Sequence, residues 1–206
     1  KNLSAICMSK PRFIETIKVE DGSFCNLSLH SRRAIRTSEI HFGVSLNFDI
    51  PTDIIPMDMR IGIVKCRILY SDTVESITFE PYRFRPINNL ALVYDNDIDY
   101  TYKSEDRSRL QSLVSQKGNC DEILIVKNGY ITDTSYSNIV LENSEGLFTP
   151  STPLLAGIKR KLLIDAGTII EKDIRVDDLH RYSRAYLINA MIDLDDNVGV
   201  SSTNVF

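Results

Sequence analysis

The stretch Glu122-Ile-Leu-Ile-Val-Lys127, followed by Asn128-Gly129 and Tyr130-Ile-Thr132, predicts a local fold more clearly than any other part of the sequence. The apolar run before Lys127 is typical of a buried strand. Asn-Gly is preferred in a type I′ turn, because both central residues of that turn need a positive φ. Residues 130–132 then begin the return strand. The sequence therefore predicts a β-hairpin here.

Strand and helix patterns extend from this hairpin in both directions. Segments rich in β-branched and aromatic residues predict strands, and apolar residues at helical spacing predict helices, which glycines can begin or end. The predicted strands are residues 12–19, 60–70, 74–82, 90–94, 138–141, 147–149, 168–174 and 185–189. The predicted helices are residues 30–40 and 104–117, one that Gly157 opens and Gly167 ends, and a short one at 178–182.

The order of these elements predicts two domains. Residues 83–89 interrupt the strand pattern with a proline and two asparagines, and they carry charges of one sign. We therefore expect a small N-terminal α+β domain over residues 1–84, a linker over residues 85–92 and a larger mixed α/β domain over residues 93–206.

The composition is that of a globular chain with a sizeable core: 206 residues with 43% apolar and 25% charged side chains. The formal net charge of −4 argues against a nucleic-acid-binding protein. Cys7, Cys25, Cys66 and Cys120 are scattered without a C-x-x-C pair, so we expect reduced thiols and no metal site. The sequence contains no apolar run long enough to span a membrane and no signal-peptide pattern in residues 1–12. We expect a cytoplasmic protein with no membrane partner and no nucleic-acid partner.

Three positions are candidates for chemistry on residue type alone. Gly157 opens a predicted helix, and the free N–H groups of a helix start favour an anion such as phosphate. Lys103 lies beside a predicted helix, where desolvation would lower its pKa and favour Schiff-base chemistry. Asp133 follows the hairpin. Each also has an ordinary structural explanation, as a turn glycine, a surface lysine and a turn carboxylate.

Several short motifs, taken together and in this order along the chain, favour a functional role for these three residues over the ordinary structural explanations. They are Phe13-x-Glu15-Thr16, His30-x-x-Arg33, Lys103 with Arg107, Asp133-x-x-x-x-Asn138-Ile139, Thr149-Pro150, Leu155-x-Gly157-Ile158-x-Arg160 and Leu187-Ile188-Asn189-Ala190-Met191. The set resembles the class IV aminotransferase family, the fold type IV pyridoxal-phosphate enzymes, and most closely its aminodeoxychorismate lyase branch. The resemblance implies a two-domain α+β architecture like that of D-amino acid aminotransferase, with pyridoxal 5′-phosphate as cofactor.

The resemblance also implies roles for individual residues. Lys103 matches the lysine that forms the Schiff base with the cofactor and later moves protons. Asp133 matches a glutamate, one methylene longer, that pairs with the protonated pyridine nitrogen and keeps the ring an electron sink. Arg33 matches the arginine that binds the cofactor phosphate, for which its planar guanidinium is suited.

The remaining cofactor contacts implied by the resemblance come from two turns. The backbone N–H groups of Ile158 and Lys159, after Gly157, match the helix start that holds the phosphate, and Leu155 matches a residue that packs on one ring face. Many relatives have threonine where this chain has Lys159, so its ammonium could replace the lost hydroxyl. Asn189 and Ala190 match the stretch that closes the phosphate site, and Ala190 keeps only the backbone N–H.

The resemblance further implies a homodimer with its sites between the domains. The N-terminal segment with an acidic-Arg-Gly motif, which in the family helps to build the site across the dimer, has no match in this sequence. The cofactor-binding set is otherwise largely kept.

Three functions follow from the resemblance, each with a small amino compound as the ligand. In a 4-amino-4-deoxychorismate lyase, Lys103 removes a proton from the amine-bearing carbon, and pyruvate leaves as the ring becomes 4-aminobenzoate. In a transaminase for branched-chain or D-amino acids, Lys103 moves that proton to the cofactor. The third is a degenerate relative without turnover, which the retained Lys103 and Asp133 argue against. The Lys103-x-x-x-Arg107 spacing and the run Asn189-Ala190-Met191 favour the lyase.

Overall fold

The computed structural model describes residues 10–206 of the chain, so Cys7 and its expected free thiol lie outside the described residues. The N-terminal part is a four-stranded antiparallel sheet in the order β2-β1-β3-β4 with one long helix. Its elements are β1 (Phe13–Glu20), β2 (Ser23–Phe24), α1 (Leu27–Phe42), β3 (Ile63–Tyr70) and β4 (Val74–Pro81).

The central pair of this sheet, β1 and β3, is in register along its whole length, from Phe13 opposite Tyr70 to Glu20 opposite Ile63. The apolar side chains of both strands enter one core with Ala34 of α1 and with apolar residues of the long segment 46–55. The β-branched runs form strands because this burial stabilises them. Helix α1 ends where Gly43 adopts a positive φ and donates its N–H to Glu39 O.

The C-terminal part contains a three-stranded sheet, β5-β6-β7, and a five-stranded sheet, β10-β9-β8-β11-β12. Its elements are β5 (Leu90–Tyr94), α2 (Ser108–Val114), β6 (Glu122–Lys127), β7 (Tyr130–Thr134), β8 (Asn138–Asn143), β9 (Gly146–Pro150), α3 (Ile158–Asp165), β10 (Ile170–Lys172), β11 (Arg184–Ile188) and β12 (Gly199–Ser201).

The predicted hairpin joins β6 to β7. Asn128 and Gly129 have φ values of 52° and 81°, as the predicted turn requires. Strand β6 lies between β5 and β7, and residues 123–126 are fully buried, which explains why these four consecutive positions are apolar rather than alternating. Strand β7 is followed closely by β8, with Thr134 N–H donating to Ser137 O at 2.9 Å.

Three predicted elements differ from those observed. The helix expected at 104–117 is only α2, because residues 104–107 are held by other contacts: Glu105 N–H donates to Arg12 O at 2.8 Å, and the Ser104 hydroxyl accepts from Asp106 N–H. The strand expected at 168–174 shortens to β10, and the helix at 178–182 is a 3₁₀ helix, Val176–Arg181. The short strands β2 and β12 have no clear sequence pattern.

The segment between β4 and β5, residues 82–89, contains neither helix nor strand. It overlaps the linker expected at 85–92, but residues 90–92 already belong to β5, where Leu90 pairs with Glu122 of β6. The two-domain division stays a prediction.

The remaining expectations concern disulfides, metal ligands and membrane-spanning helices, and they can be examined only within residues 10–206. Within that range Cys25, Cys66 and Cys120 are free. The same residues contain no group of three or more His, Cys, Asp or Glu side chains placed to hold a metal ion. None of their helices has both the length and the apolar character needed to cross a membrane.

Candidate active site

A cavity of about 500 Å³ lies where the N-terminal sheet meets the C-terminal sheets. Strand β1 and helix α1 supply one wall, and the segment around Lys103, the β7–β8 connection and the turn before α3 supply the other. The predicted site residues that line it are Arg33, Lys103, Asp133, Leu155, Gly157, Ile158, Asn189 and Ala190. The topology thus brings together residues that are far apart in sequence.

Lys103 is anchored to β1 through its backbone, because its carbonyl oxygen accepts the N–H of Ile14 at 2.9 Å. Burial lowers the pKa of its ammonium to about 8, and repulsion by Arg33 and Arg107 adds to this effect, which nearby carboxylates only partly oppose. A substantial fraction of the side chain is therefore a free amine in mildly alkaline solution. Such an amine can act as nucleophile and as base.

Arg33 is fixed by a buried carboxylate that the sequence motifs include but do not explain. Glu15 of β1 is fully buried, and it accepts Arg33 Nε at 2.7 Å and Nη2 at 2.6 Å. His30 Nδ1 lies 2.6 Å from the same carboxylate. Because His30 and Arg33 are three residues apart on α1, they face the same side of the helix.

The Glu15 carboxylate stays ionised in this setting. Burial alone would raise its pKa, but attraction to Arg33 and hydrogen bonds with His30 and Arg33 hold the pKa at about 2. Arg33 Nη1 makes no hydrogen bond within residues 10–206, and the side chain lines the cavity. One edge of a rigidly held guanidinium is thus available to an anion.

Asp133 lies near the end of β7, and both of its oxygens accept neutral donors. Asn138 Nδ2 donates to Oδ1 at 2.8 Å, and the N–H of Leu155 donates to Oδ2 at 2.9 Å. Burial raises the pKa of this carboxyl to about 6. A cation placed beside it in the cavity would favour its ionised form, which is the environment that a protonated ring nitrogen provides.

Asn138 connects the parts of the site, a role that its place in a motif does not reveal. Besides the bond to Asp133, its Nδ2 donates to Leu155 O at 2.8 Å. A Cβ at Gly157 would lie 2.0 Å from Asn138 Oδ1. Position 157 therefore requires glycine for space, and the φ of −69° is one that other residues adopt.

The start of α3, where Gly157 and Ile158 line the cavity, has free N–H groups. The helix makes its first internal bond from Lys161 N–H to Gly157 O at 3.0 Å, which leaves the N–H groups of Ile158 and Lys159 without a partner in the helix. Together with the positive end of the helix dipole, these groups suit a phosphate.

The Lys159 side chain does not point toward the phosphate site, where the threonine hydroxyl of relatives is expected. It pairs with Asp193 in the loop after β11, and Asp193 also lies 3.7 Å from Lys18 Nζ of β1. Of the described residues that line the cavity, none is Lys159. Its ammonium therefore does not take the place of the hydroxyl, and only its backbone N–H remains a candidate for the phosphate.

Asn189 shapes a turn with its side chain. Its Oδ1 accepts the N–H groups of Met191 and Ile192 at 2.8 and 3.0 Å. The N–H of Ala190, at the tip of this turn, makes no hydrogen bond within residues 10–206. The turn thus offers the single backbone donor that the sequence predicts at Ala190.

Arg107 also lines the cavity. The sequence indicates its involvement in the site only through its spacing from Lys103. Its Nη2 donates to Ser135 O at 2.7 Å, while its buried Nε has no partner among the described residues. Its charge helps to lower the pKa of Lys103.

This set of groups fits pyridoxal 5′-phosphate. Lys103 supplies an amine for the aldehyde, Asp133 supplies a carboxylate for the ring nitrogen, and Arg33 with the α3 N-terminus supplies donors for the phosphate. These roles of single residues remain predictions.

Comparison with known proteins supports the family prediction. The family Amino-transferase class IV matches residues 106–194. An uncharacterised protein of Haemophilus influenzae is 34% identical over 180 residues, which are 86% of this chain and 96% of that protein. The crystal structure of a candidate 4-amino-4-deoxychorismate lyase from Haemophilus somnus is 32% identical, with a TM-score of 0.79, over 90% of this chain and 99% of that one.

More distant structures share the fold. A hypothetical aminotransferase from Mycobacterium tuberculosis in its PLP-bound form has 15% identity and a TM-score of 0.73, over 95% of this chain and 81% of that one. The branched-chain amino acid aminotransferase of Escherichia coli has 17% identity and a TM-score of 0.65, over 89% and 74%. These likenesses confirm the mixed α/β architecture. The family match and the likeness to the Haemophilus somnus protein confirm the pyridoxal-phosphate class of enzyme. The chain belongs to the amino-transferase class IV family.

Proposed function

We propose that the protein is a 4-amino-4-deoxychorismate lyase, which releases pyruvate and 4-aminobenzoate. The observation that carries the proposal is the partly buried Lys103 amine, with a pKa near 8, in one cavity with Asp133 and Arg33. The choice of lyase is supported by the full-length likeness to the Haemophilus somnus protein named for that activity.

When bound, pyridoxal phosphate supplies the electron sink that acidifies the carbon carrying the substrate amine. Arg33, the N–H groups at the start of α3 and the Ala190 N–H would hold its phosphate, and Asp133 would hold its ring nitrogen. Asn138 keeps the Asp133 carboxylate in place.

Lys103 Nζ then takes the proton from the acidified carbon of the substrate, and loss of pyruvate leaves an aromatic ring. The two products contain all the atoms of the substrate, so the reaction consumes no oxo acid. This separates it from transamination, in which the same Lys103 would serve but an oxo acid must accept the amino group.

The test is a product assay with and without an oxo acid. The holoenzyme, given 4-amino-4-deoxychorismate alone, is expected to form 4-aminobenzoate and pyruvate in equal amounts. Lys103→Ala should abolish this activity and the covalent attachment of the cofactor. Lys161→Ala, which alters an exposed lysine of α3, is the matched control.

Two other outcomes would replace the proposal. Product formation only from branched-chain or D-amino acids with 2-oxoglutarate would show a transaminase. An intact borohydride-reducible adduct on Lys103 without any turnover would show a degenerate relative.

We also propose that the working unit is a homodimer. Among the described residues, Met57 and Ile61 are large apolar side chains that are more than four-fifths exposed, at 85% and 86%. A contiguous patch of such side chains is typical of a surface that a second chain covers, and we place the contact around these two residues. Sedimentation of the purified protein as a monomer at micromolar concentration would contradict this.

A further inference from the structure

The cavity is cationic although the chain is acidic. Seven of its lining residues are Lys or Arg and three are Asp or Glu, whereas the whole chain has a net charge of −4. Arg33, Lys103 and Arg107 are accounted for above. The other four, Lys65, Arg83, Arg85 and Lys117, are here named the outer cations.

Two of the outer cations have protein partners and two do not. Lys65 pairs with Glu80, and Lys117 Nζ donates to Asp121 O at 3.1 Å. Arg83 and Arg85 make neither an ion pair nor a side-chain hydrogen bond within residues 10–206. Both belong to the irregular segment 82–89 and line the cavity.

The carboxylates of the cavity lining form no ion pair with these arginines within residues 10–206, and each accepts amide donors instead. Asp121 accepts the N–H of Asn88 at 2.7 Å, and Glu122 accepts the N–H of Ile123 at 2.9 Å. Asp133 is held by Asn138 and Leu155, as described above. Arg83 and Arg85 are therefore free to pair with an anionic ligand in the cavity.

Arg85 also lies near two phenols. Burial raises the pKa values of Tyr82 and Tyr136, and the charge of Arg85 acts on both in the opposite direction. Both tyrosines line the cavity. Guanidinium and phenol groups together form a donor set that matches carboxylate oxygens.

We propose that Arg83 and Arg85 bind the carboxylates of the substrate and make the enzyme specific for an amino substrate that carries two carboxylates. The proposal rests on the proposed function, since 4-amino-4-deoxychorismate has a ring carboxylate and a second one on its enolpyruvyl ether. A planar guanidinium suits a bidentate contact to each carboxylate. An amino acid with one carboxylate and a branched apolar side chain would leave one arginine without a partner. The segment expected to be only a linker thus determines specificity.

The test uses an unreactive probe and does not depend on turnover. 3-(Carboxymethoxy)benzoate carries a ring carboxylate and an ether-linked carboxylate, and 3-methoxybenzoate has only the first. Calorimetric titration of the holoenzyme is expected to show the dicarboxylate binding about ten-fold more tightly or better, as one additional charge-assisted contact gives. One of the two substitutions, Arg83→Gln or Arg85→Gln, should remove most of that difference, because it removes the partner of the ether-linked carboxylate. The other should weaken both probes alike, and neither should alter cofactor retention.

Arg181→Gln is the matched control, because Arg181 is exposed and lies outside the cavity lining. Equal affinities for the two probes, or a preference that survives both substitutions, would overturn the inference even if 4-aminobenzoate is formed. A preference for the dicarboxylate that one of the two substitutions abolishes, in an enzyme that forms no 4-aminobenzoate, would support the dicarboxylate site and refute the lyase instead.

Discussion

Adding one methyl group at Gly157 tests how the cofactor site is assembled. A Cβ at this position lies 2.0 Å from Asn138 Oδ1 and 3.2 Å from Asn138 Cγ, whereas real Cβ contacts under 3.0 Å are essentially never seen. The backbone of Gly157, with φ −69° and ψ 145°, is one that alanine adopts readily. The expected cost of Gly157→Ala therefore comes from the collision alone.

The magnitude follows from what Asn138 has to give up. Its amide must move by about 1 Å, which lengthens hydrogen bonds beyond their useful range. The bonds at risk are those from Nδ2 to Asp133 Oδ1 and to Leu155 O, both 2.8 Å. A bond to a charged group contributes about 1.5–3 kcal/mol and a neutral one about 0.5–1.5 kcal/mol. We expect Gly157→Ala to lower the free energy of unfolding by about 2–4 kcal/mol.

Urea unfolding of the apoprotein in a double-mutant cycle measures this. In the Asn138→Ala background the colliding oxygen is absent, so Gly157→Ala should cost less than about 1 kcal/mol, and the coupling should be about 2–3 kcal/mol. The same cost in both backgrounds would refute the reasoning, because it would mean that the glycine is required for some reason other than Asn138. Gly157→Ala should also weaken cofactor binding, since Asp133 loses the donor that fixes it.

Three further predictions concern charge. The pKa of Lys103 is about 8 in the folded chain against an ordinary value of 10.5, so between these pH values the unfolded chain binds more protons and stability rises with pH. Lys103→Met should therefore stabilise the apoprotein against urea at pH 7. If the stability gained by this substitution did not shrink from pH 8 to 10.5, the prediction would be contradicted. The pKa of Glu15 is about 2 in the folded chain against an ordinary value of 4.5, so the stability that its ionised form contributes is present above pH 4.5 and is lost toward pH 2. Glu15→Gln leaves Arg33 unpaired and should cost about 3–5 kcal/mol at pH 7. The gap in thermal unfolding temperature between wild type and the variant should narrow as the pH falls toward 2. Lys159→Ala should cost about 1 kcal/mol, because it breaks the ion pair with Asp193, whereas Lys161→Ala, an exposed control on the same helix, should change little. Neither substitution should weaken cofactor binding, because both keep the backbone N–H groups. A fluorescence titration with pyridoxal phosphate that shows a large loss of affinity for Lys159→Ala alone would contradict this.

Much of the fold can be predicted because it rests on local patterns. The apolar run of β6 and the Asn128-Gly129 turn determine the hairpin without help from the rest of the chain. The helix expected at 104–117 fails at its start, because Glu105 bonds to Arg12, ninety-three residues earlier. That pairing overrides helix propensity, and no local window contains it.

The candidate site divides in the same way. Ordered motifs predict Lys103, Asp133 and Arg33 as site residues, since the chemistry of the cofactor restricts which residue types can serve, and the structure places all three in one cavity. The direction of the Lys159 side chain depends on Asp193, thirty-four residues later, and a motif cannot express such a contact. The like charges of Arg83 and Arg85 in an irregular segment also do not show, from sequence alone, whether that segment is a solvated linker or lines the cavity.

The cations of the cavity differ in how firmly they are held, and this difference matches the two kinds of ligand. Arg33 is locked by two bonds to a carboxylate that is fully buried, so little conformational entropy is lost when it binds a phosphate. That suits a cofactor that remains bound through many turnovers. Arg83 and Arg85 are exposed and unpaired within residues 10–206, so each keeps its hydration and mobility until a carboxylate arrives. Their contribution to affinity is smaller per contact, and release is correspondingly easy, as a substrate-binding residue requires. If these assignments are correct, the fixed arginine retains the cofactor and the free arginines allow the substrate to exchange within one cavity.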